Sequence, residues 1–397
     1  MHVSTSSRRQ FLRNAGTMIA LTSASPFAYL VHAFQATDKS GNDSVAKSLV
    51  ADPSKTIPVW MNKASVPGLS IALIKEGDLV WSQGFGVKST VTKEPVTAET
   101  IFEAASLSKP AFAYAALKLC DEGRLGLDTS LTEYLQDPLI PNEPRLKMIT
   151  ARRVLSHSSG LPHGRPEGTP IALRFTPGER FAYSATGIQY LQMVVERSTG
   201  QPFADFMKAR LLDPFGMKGS SFGWMRSHEK EAAQGHWRDG STGLSGNGKY
   251  LAATTEEREK MRRQYPEFRY PSASAGLYTT AGDYARFMLE VINPSRRDQF
   301  HVSEAIVTEM LTPQVKVNDS ISWGLGWGIE RTRSGDPFWH WGDWGVFRNF
   351  AMASRRQGTG VVVLTNSFNG PSAYREIVPA AIGGEHPALA WVEEYRP

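Results

Sequence analysis

Three places in this sequence put a serine three residues before a lysine: Ser44/Lys47, Ser106/Lys109 and Ser227/Lys230. A serine hydroxyl is a poor nucleophile at neutral pH and needs a base beside it. On a helix, residues three apart share a face, so an amine at that spacing can reach the hydroxyl. The amine acts as a base only where burial or cationic neighbours lower its pKa. The chemistry such a pair permits is nucleophilic acyl transfer, and context decides which pair could perform it. Ser44/Lys47 lies in a polar stretch, and Ser227/Lys230 in a glycine-rich, irregular one. Only Ser106/Lys109 follows a short extended segment, Thr100-Ile101-Phe102-Glu103, and opens an apolar run to Leu119 that reads as a helix. A helix beginning at Ser106 would also turn its N-terminal dipole toward a developing anion. Gly123 is a natural stop, and Pro110 falls in the first turn, where a missing N–H does little harm.

An isolated Ser-x-x-Lys is most often a capping serine and a solvated lysine; the other candidate chemistries of the chain are weaker still. Gly219-Ser220-Ser221-Phe222-Gly223 spells an esterase elbow, which requires a strand before the serine and a helix after it. Here Pro214-Phe215-Gly216 precedes it and irregular sequence follows, so this serine is rejected as a nucleophile. The nine histidines contain no His-x-x-x-His or His-Glu-x-x-His pair, so no helical metal-ligand pair of that kind exists. No metal or organic cofactor is implied. Cys120 is the only cysteine, which excludes an internal disulfide, and its apolar surroundings read as those of a small core thiol.

The elements that must position Ser106 follow from pattern. Leu69 to Lys75 and Leu79 to Gly86 are strand-like runs around Glu76-Gly77-Asp78, a hairpin signal. Ala151 to Leu155, Gly187 to Arg197, Pro202 to Leu212 and Ser372 to Ile382 read as helical, and Gly276 to Val291 reads as a turn plus a helix. Residues 219–270 read as an irregular inserted surface region. Trp323 to Glu330, Phe347 to Ala353 and Gly360 to Leu364 return to strand character. Strands at both ends with helices between them predict a mixed α/β fold: one antiparallel sheet flanked by helices, with a mostly helical insertion over about 120–275.

The 397 residues carry 44 Lys and Arg against 39 Asp and Glu, a net +5, with no dense basic run interleaved with aromatics. Nucleic acid is therefore not an expected partner. Ser7-Arg8-Arg9-Gln10-Phe11-Leu12-Arg13, the apolar segment after it and Val31-His32-Ala33 read as a twin-arginine signal peptide over 1–33, removed on export to the periplasm or medium. Residues 34–55 read as a loose lead-in to one hydrolase domain over 56–397, and no stable membrane span is expected.

Several ordered blocks resemble the serine β-lactamase and penicillin-binding-protein superfamily, on its class C, D,D-peptidase and family VIII esterase side. They are Val66-Pro67-Gly68, Phe102 to Lys109, Ile149 to Leu161, Phe175 to Ser184 and His340-Trp341-Gly342, spread from about Val66 to about Ile382. The resemblance implies Ser106 as nucleophile, Lys109 as its base, Tyr183 as a second proton-transfer group and His340 as an orienting or proton-transfer group. It implies an oxyanion hole from the backbone N–H groups of Ser106 and Asp343, and substrate contacts from Trp341, Gly342 and Trp344. Trp224, Trp237 and Tyr250 are further candidates for an apolar acyl site, while His157 and His163 read as structural or loop residues.

One position departs from the family pattern. The second motif, usually Tyr-x-Asn, is here Tyr183-Ser184-Ala185. An alanine has no amide to hold a substrate acylamino group, which shifts the expected substrate toward small esters and away from β-lactams or D-alanyl peptides. Class C-like β-lactamase or D-alanyl-D-alanine carboxypeptidase activity is the neighbouring alternative. A non-catalytic cell-wall or ligand-binding module on the same fold is the alternative of another class.

Overall fold

The computed structural model describes residues 52–135, 137–294, 299–332 and 335–395. The twin-arginine segment, most of the lead-in and the Ser44/Lys47 pair lie outside them. In chain order the elements are α1 (Pro53–Ala64), β1 (Gly68–Lys75), β2 (Asp78–Gly86), β3 (Phe102–Ala105) and α2 (Ser108–Asp121). A largely helical stretch follows, with α3 (Ala151–Leu155), α4 (Ala185–Thr199) and α5 (Phe203–Met207). Short strands β4 (Ser221–Phe222), β5 (Gly235–His236) and β6 (Thr242–Gly243) precede α6 (Gly246–Ala252) and α7 (Thr255–Gln264). Next come β7 (Leu277–Thr279), α8 (Ala281–Ile292) and α9 (Glu304–Leu311). Then follow β8 (Val315–Lys316), β9 (Ile321–Trp323), β10 (Gly328–Glu330), β11 (Phe338–Asp343), β12 (Arg348–Ser354) and β13 (Thr359–Thr365), with α10 (Gly370–Ile382) and α11 (Pro387–Glu394) after them.

Eight strands form one antiparallel sheet in the order β2-β1-β13-β12-β11-β10-β9-β8. The expected hairpin closes through Glu76 (φ +53) and Gly77 (φ +78), two left-handed residues that suit the twist of the paired strands. Side chains alternate across a strand, and the two faces of this sheet feed two cores. Leu69, Ile71 and Leu73 of β1 and Val361 and Val363 of β13 pack on the side of α1 and α10. Ala72, Ile74, Val362 and Leu364 face the other way, toward α8 and the helical region. Because both faces are covered, β13 reads as an unbroken apolar run.

Helix α2 is buried along its whole length from Ser108 to Leu119. A helix apolar all round belongs in a core. Its alanines let neighbours come close: a Cβ on Gly326 would lie 2.5 Å from the Ala113 methyl. The helix ends where Gly123 takes φ +70 and Arg124 donates its N–H to the Leu119 carbonyl at 2.9 Å.

Three expectations about local structure need correction. The helix starts at Ser108, so Ser106 stands in the turn before it rather than at its first position. Trp323 to Glu330 is two strands, because Gly326 (φ +91) turns the chain and Gly324 donates its N–H to the Trp327 carbonyl at 2.8 Å. Residues 219–270 are more than a surface insertion: β4 pairs with β7, and Asn247 and Tyr250 are buried.

Candidate active site

The path to Ser106 begins on β3, which pairs with β7 through an irregular register between Glu103 and Ala105. Ala105 then takes φ +50, a left-handed conformation that is costly for any residue with a Cβ. The turn is held from both sides. Ser108 donates its hydroxyl to the Ala105 carbonyl at 2.6 Å and accepts the Leu277 N–H at 2.9 Å, while Tyr284 donates to the Leu107 carbonyl at 3.0 Å. These braces fix Ser106 with its side chain at a cavity.

Lys109, one turn along, has its amine 2.9 Å from the Ser106 hydroxyl and 2.8 Å from the Ser274 carbonyl. Among the described residues no carboxylate pairs with the buried amine, and burial brings its pKa down to about 7. An amine that is neutral near pH 7 keeps two N–H donors and one lone pair. Donation to the Ser274 carbonyl, which can only accept, leaves the lone pair available to the Ser106 O–H. The loop carrying Ser274 is tied to α4: Gln192 accepts the Ala273 N–H at 2.8 Å and donates to the Pro271 carbonyl at 2.9 Å, and Gln189 donates to the Ser274 hydroxyl at 3.3 Å.

Tyr183 comes from the segment just before α4. Ser184 caps that helix by accepting the Gly187 N–H at 2.9 Å and anchors itself by donating to the Pro162 carbonyl at 2.8 Å. The amine of Lys109 lies 4.8 Å from the centre of the Tyr183 ring. That proximity does not produce a tyrosinate. Burial pushes the Tyr183 phenol up, and the Ser106 side chain opposes this only in part, so the group stays a neutral O–H donor.

His340 is buried on β11, with Nδ1 2.7 Å from the Trp341 carbonyl. A carbonyl only accepts, so Nδ1 carries the proton and the Nε2 lone pair faces the Tyr183 hydroxyl at 3.5 Å, the long limit of a hydrogen bond. Burial, then the Lys109 charge, holds the imidazole well below its usual pKa and therefore neutral. β10 pairs with Phe338 and Trp339 of β11, and among the described residues no strand pairs with His340 to Asp343 on that side. Gly342 has no room for a side chain there, because a Cβ would sit 2.1 Å from the Ala104 carbonyl.

Ser106, Tyr183, Trp341, Gly342 and Asp343 line one cavity of about 620 Å³ together with His163, Arg348, Phe368, Val392, Glu393 and Tyr395 among others. Asp343 accepts the Gly345 N–H at 2.6 Å and pairs with Arg348 at 3.1 Å. Trp344 is not among the lining residues; its indole donates to the Ala275 carbonyl at 3.3 Å. Trp224, Trp237 and Tyr250, expected at an apolar acyl site, are likewise not among the residues that line this cavity. Trp224 packs on His228 and Tyr278, and Tyr250 on Phe268 and Tyr270, because aromatic content fixes apolarity but not direction.

His157 and His163 read in sequence as structural or loop residues, and Glu103 is not singled out there; the structure gives each a definite place around the site. His157, itself at φ +54, accepts the Ala182 N–H on its carbonyl at 2.7 Å and the Ser184 N–H on Nδ1 at 3.1 Å, bracketing Tyr183. His163 stands at the cavity, its ring 5.4 Å from that of Tyr183, and burial brings its pKa down to about 4. Glu103, on the nucleophile strand, is tied to Ser245 at 2.7 Å and Asn247 at 3.1 Å, and burial still raises its pKa to about 7. The rejected elbow serine, Ser221, spends its hydroxyl on the Gly223 carbonyl at 2.7 Å, and no helix follows it directly. Burial, then Asp128, pushes the Cys120 thiol up to about 12, which leaves it unreactive. Among the described residues no group of three or more His, Cys, Asp or Glu is placed to hold a metal ion, and no helix is long and apolar enough to cross a membrane.

Comparison with known proteins gives one consistent picture. The Beta-lactamase family model matches residues 43–382. Esterase EstB of Burkholderia gladioli is 26% identical over 374 residues, covering 81% of this chain and 91% of its own. Protein flp of Staphylococcus aureus strain N315 is 23% identical over 330 residues, 79% of this chain, which spans 62% of that protein's length. Two solved structures share the fold. The octameric penicillin-binding protein homologue from Pyrococcus abyssi superposes with a TM-score of 0.67 at 24% identity, covering 85% of this chain and 77% of that one. The β-lactamase/D-alanine carboxypeptidase from Pseudomonas syringae gives 0.69 at 18% identity, covering 87% and 99%.

Proposed function

We infer the reaction of this chain from one premise: it belongs to the β-lactamase family, within the serine β-lactamase and penicillin-binding-protein superfamily. The reaction is hydrolysis of a small carboxylic ester through an acyl-enzyme on Ser106. The observation that carries this reading is the buried Lys109 amine, with a pKa of about 7, 2.9 Å from the Ser106 hydroxyl.

In the first half-reaction the Ser106 Oγ–H proton passes to the Lys109 amine while Oγ attacks the ester carbonyl carbon. The resulting oxyanion is held by the backbone N–H groups of Ser106 and Asp343; one such donor is worth about 3 kcal/mol. Collapse breaks the bond to the alkoxide, which takes a proton from the Tyr183 phenol. Tyr183 recovers its proton from the Lys109 ammonium. His340, at 3.5 Å, receives the single phenol O–H only in the resting site; during collapse that O–H turns to the alkoxide. Water then attacks the acyl-enzyme with Lys109 again as base, releasing the acid and restoring Ser106. A neutral, buried phenol suits this relay better than a tyrosinate, because it always has a proton to give.

Ala185 supports an ester over a β-lactam or an acylated peptide, since no side-chain amide stands at the motif position to hold an acylamino group. The likeness to an esterase over most of both chains points the same way. Export of the folded chain through its twin-arginine segment is part of the proposal.

The test is covalent. A fluorophosphonate should label Ser106, located by peptide mass spectrometry, and p-nitrophenyl butyrate should turn over faster than nitrocefin. Ser106→Ala should abolish both activities with the fold intact. Labelling elsewhere, or full turnover by Ser106→Ala, would end the reading.

A further inference from the structure

Helix α11 and the turn before it lie beyond residue 382, where the match to the family stops. They are nevertheless built into the site. Gly383 (φ +75) and Gly384 (φ +84) turn the chain back after α10. The carboxylate of Glu330, wholly buried on β10, then takes the His386 Nδ1 at 2.9 Å and the Ala388 N–H at 2.6 Å, while His386 Nε2 reaches the Gly383 carbonyl at 2.9 Å. A buried carboxylate with its oxygens engaged in this way is a firm anchor. From it α11 carries Trp391 into an aromatic cluster, with its ring centre 5.7 Å from Trp339 and 5.6 Å from Trp341. Trp391 in turn stacks on Tyr395 at 4.3 Å and 20°.

The stack sets the Tyr395 phenol oxygen to accept the main-chain N–H of Tyr183 at 3.2 Å. With the two bonds that His157 takes from Ala182 and Ser184, three successive N–H groups around Tyr183 are held from outside its own segment. On the same side Val392, Glu393 and Tyr395 face the cavity that holds Ser106, with Glu393 paired to Arg375 at 2.6 Å. A segment that contributed only packing would have no reason to place a hydrogen-bond acceptor on the proton-transfer residue and a wall on the cavity.

We propose that residues 386–395 complete the active site: Tyr395 is a positioning residue for Tyr183, and Val392 sets the size of acyl group the cavity admits. This rests on the hydrolase reading above, and the experiment separates the two. In the full chain, Tyr395→Phe keeps the ring and removes only the acceptor. It should lower kcat for p-nitrophenyl butyrate about tenfold, since small misplacements of a catalytic group are costly. KM should stay within about twofold and the melting temperature should hardly move. The same change made in a Tyr183→Phe background should cause no further loss, read as kcat or as the rate of fluorophosphonate labelling at Ser106. An unchanged kcat in the single variant, or an equal loss in both backgrounds, overturns the positioning role. Val392→Trp should lower the butyrate-to-acetate ratio of kcat/KM at least about fivefold; an unchanged ratio removes the wall. A wild-type chain that is labelled at Ser106 and active while these variants match it sinks this inference alone. A wild-type chain that is neither labelled nor active takes the hydrolase reading with it.

Discussion

The Lys109 amine donates to the Ser274 carbonyl at 2.8 Å, which commits one N–H and leaves the lone pair and the second N–H for Ser106. With a pKa of about 7 the amine is half deprotonated near neutrality, and only the neutral form can accept the Ser106 proton. The expected kcat/KM profile therefore rises with pH, bends near pH 7 and levels above it. Lys109→Met should lose about 10²- to 10⁴-fold in rate and, with it, the bend near 7. A pH series of ester hydrolysis on the two proteins checks this. A bend that survives the substitution assigns the limb to another group.

Ala185 is the first residue of α4, and because Ser184 supplies the cap, asparagine at 185 leaves that cap in place. If the missing amide is what disfavours acylamino substrates, Ala185→Asn should raise the ratio of nitrocefin to p-nitrophenyl butyrate turnover by roughly 10- to 100-fold, the discrimination one well-placed hydrogen bond gives. Steady-state kinetics with both substrates measure it. A ratio that stays put moves the cause of ester preference elsewhere in the cavity.

Gly342 backs onto the Ala104 carbonyl so closely that a Cβ would lie 2.1 Å away. The obstructing atom is main chain, two residues before Ser106, and cannot swing aside as a side chain can. Gly342→Ala should cost about 1–3 kcal/mol of unfolding free energy, read by urea titration, as β11 is forced off β3. It should also lower kcat/KM by on the order of a hundredfold, since β11 carries His340 and Asp343. Gly164→Ala is the control, with nothing within 4 Å of its added carbon, and should leave both measurements alone.

Ser106 and Lys109 were legible because their spacing and the apolar run after them are both local signals, and the structure brings the pair together. Tyr183, Trp341 and Gly342 were legible only through ordered blocks of sequence, and they meet Ser106 at one cavity. What could not be read has a common physical cause. The Ser274 carbonyl is a main-chain acceptor and leaves no mark in residue type. Tyr395 meets Tyr183 across 212 residues of chain, a contact no local pattern encodes. Glu103 carried the one available signal, a lone acid in the apolar strand before the nucleophile, which marks a buried charge in need of partners. Trp224 and Tyr250 carried a weaker signal, because an aromatic in a glycine-rich stretch says that something is covered without saying what.

Glu103 and Lys109 titrate at about the same pH in the folded chain, each shifted by burial, and their effects on stability run in opposite directions. The folded pKa of Glu103 is raised from 4.5 to about 7, so between those values the folded chain holds a proton that the unfolded chain has released. Stability therefore falls as pH rises from 4.5 through 7. The folded pKa of Lys109 is lowered from 10.5 to about 7, so between those values the unfolded chain holds the extra proton. Stability therefore rises as pH climbs from 7 toward 10.5. Together the two groups predict a trough in stability near pH 7, with a slope on either side of up to about 1.4 kcal/mol per pH unit. Glu103→Gln should flatten the acid side of that trough and leave the alkaline side. Lys109→Met should flatten the alkaline side, so that the inactive variant gains stability over wild type as pH falls to 7. Urea titrations from pH 5 to 9 on the three proteins separate these outcomes. Parallel curves for all three would mean that neither the Glu103 carboxyl beside Ser245 and Asn247 nor the Lys109 amine beside Ser106 is held as far from water as its burial requires.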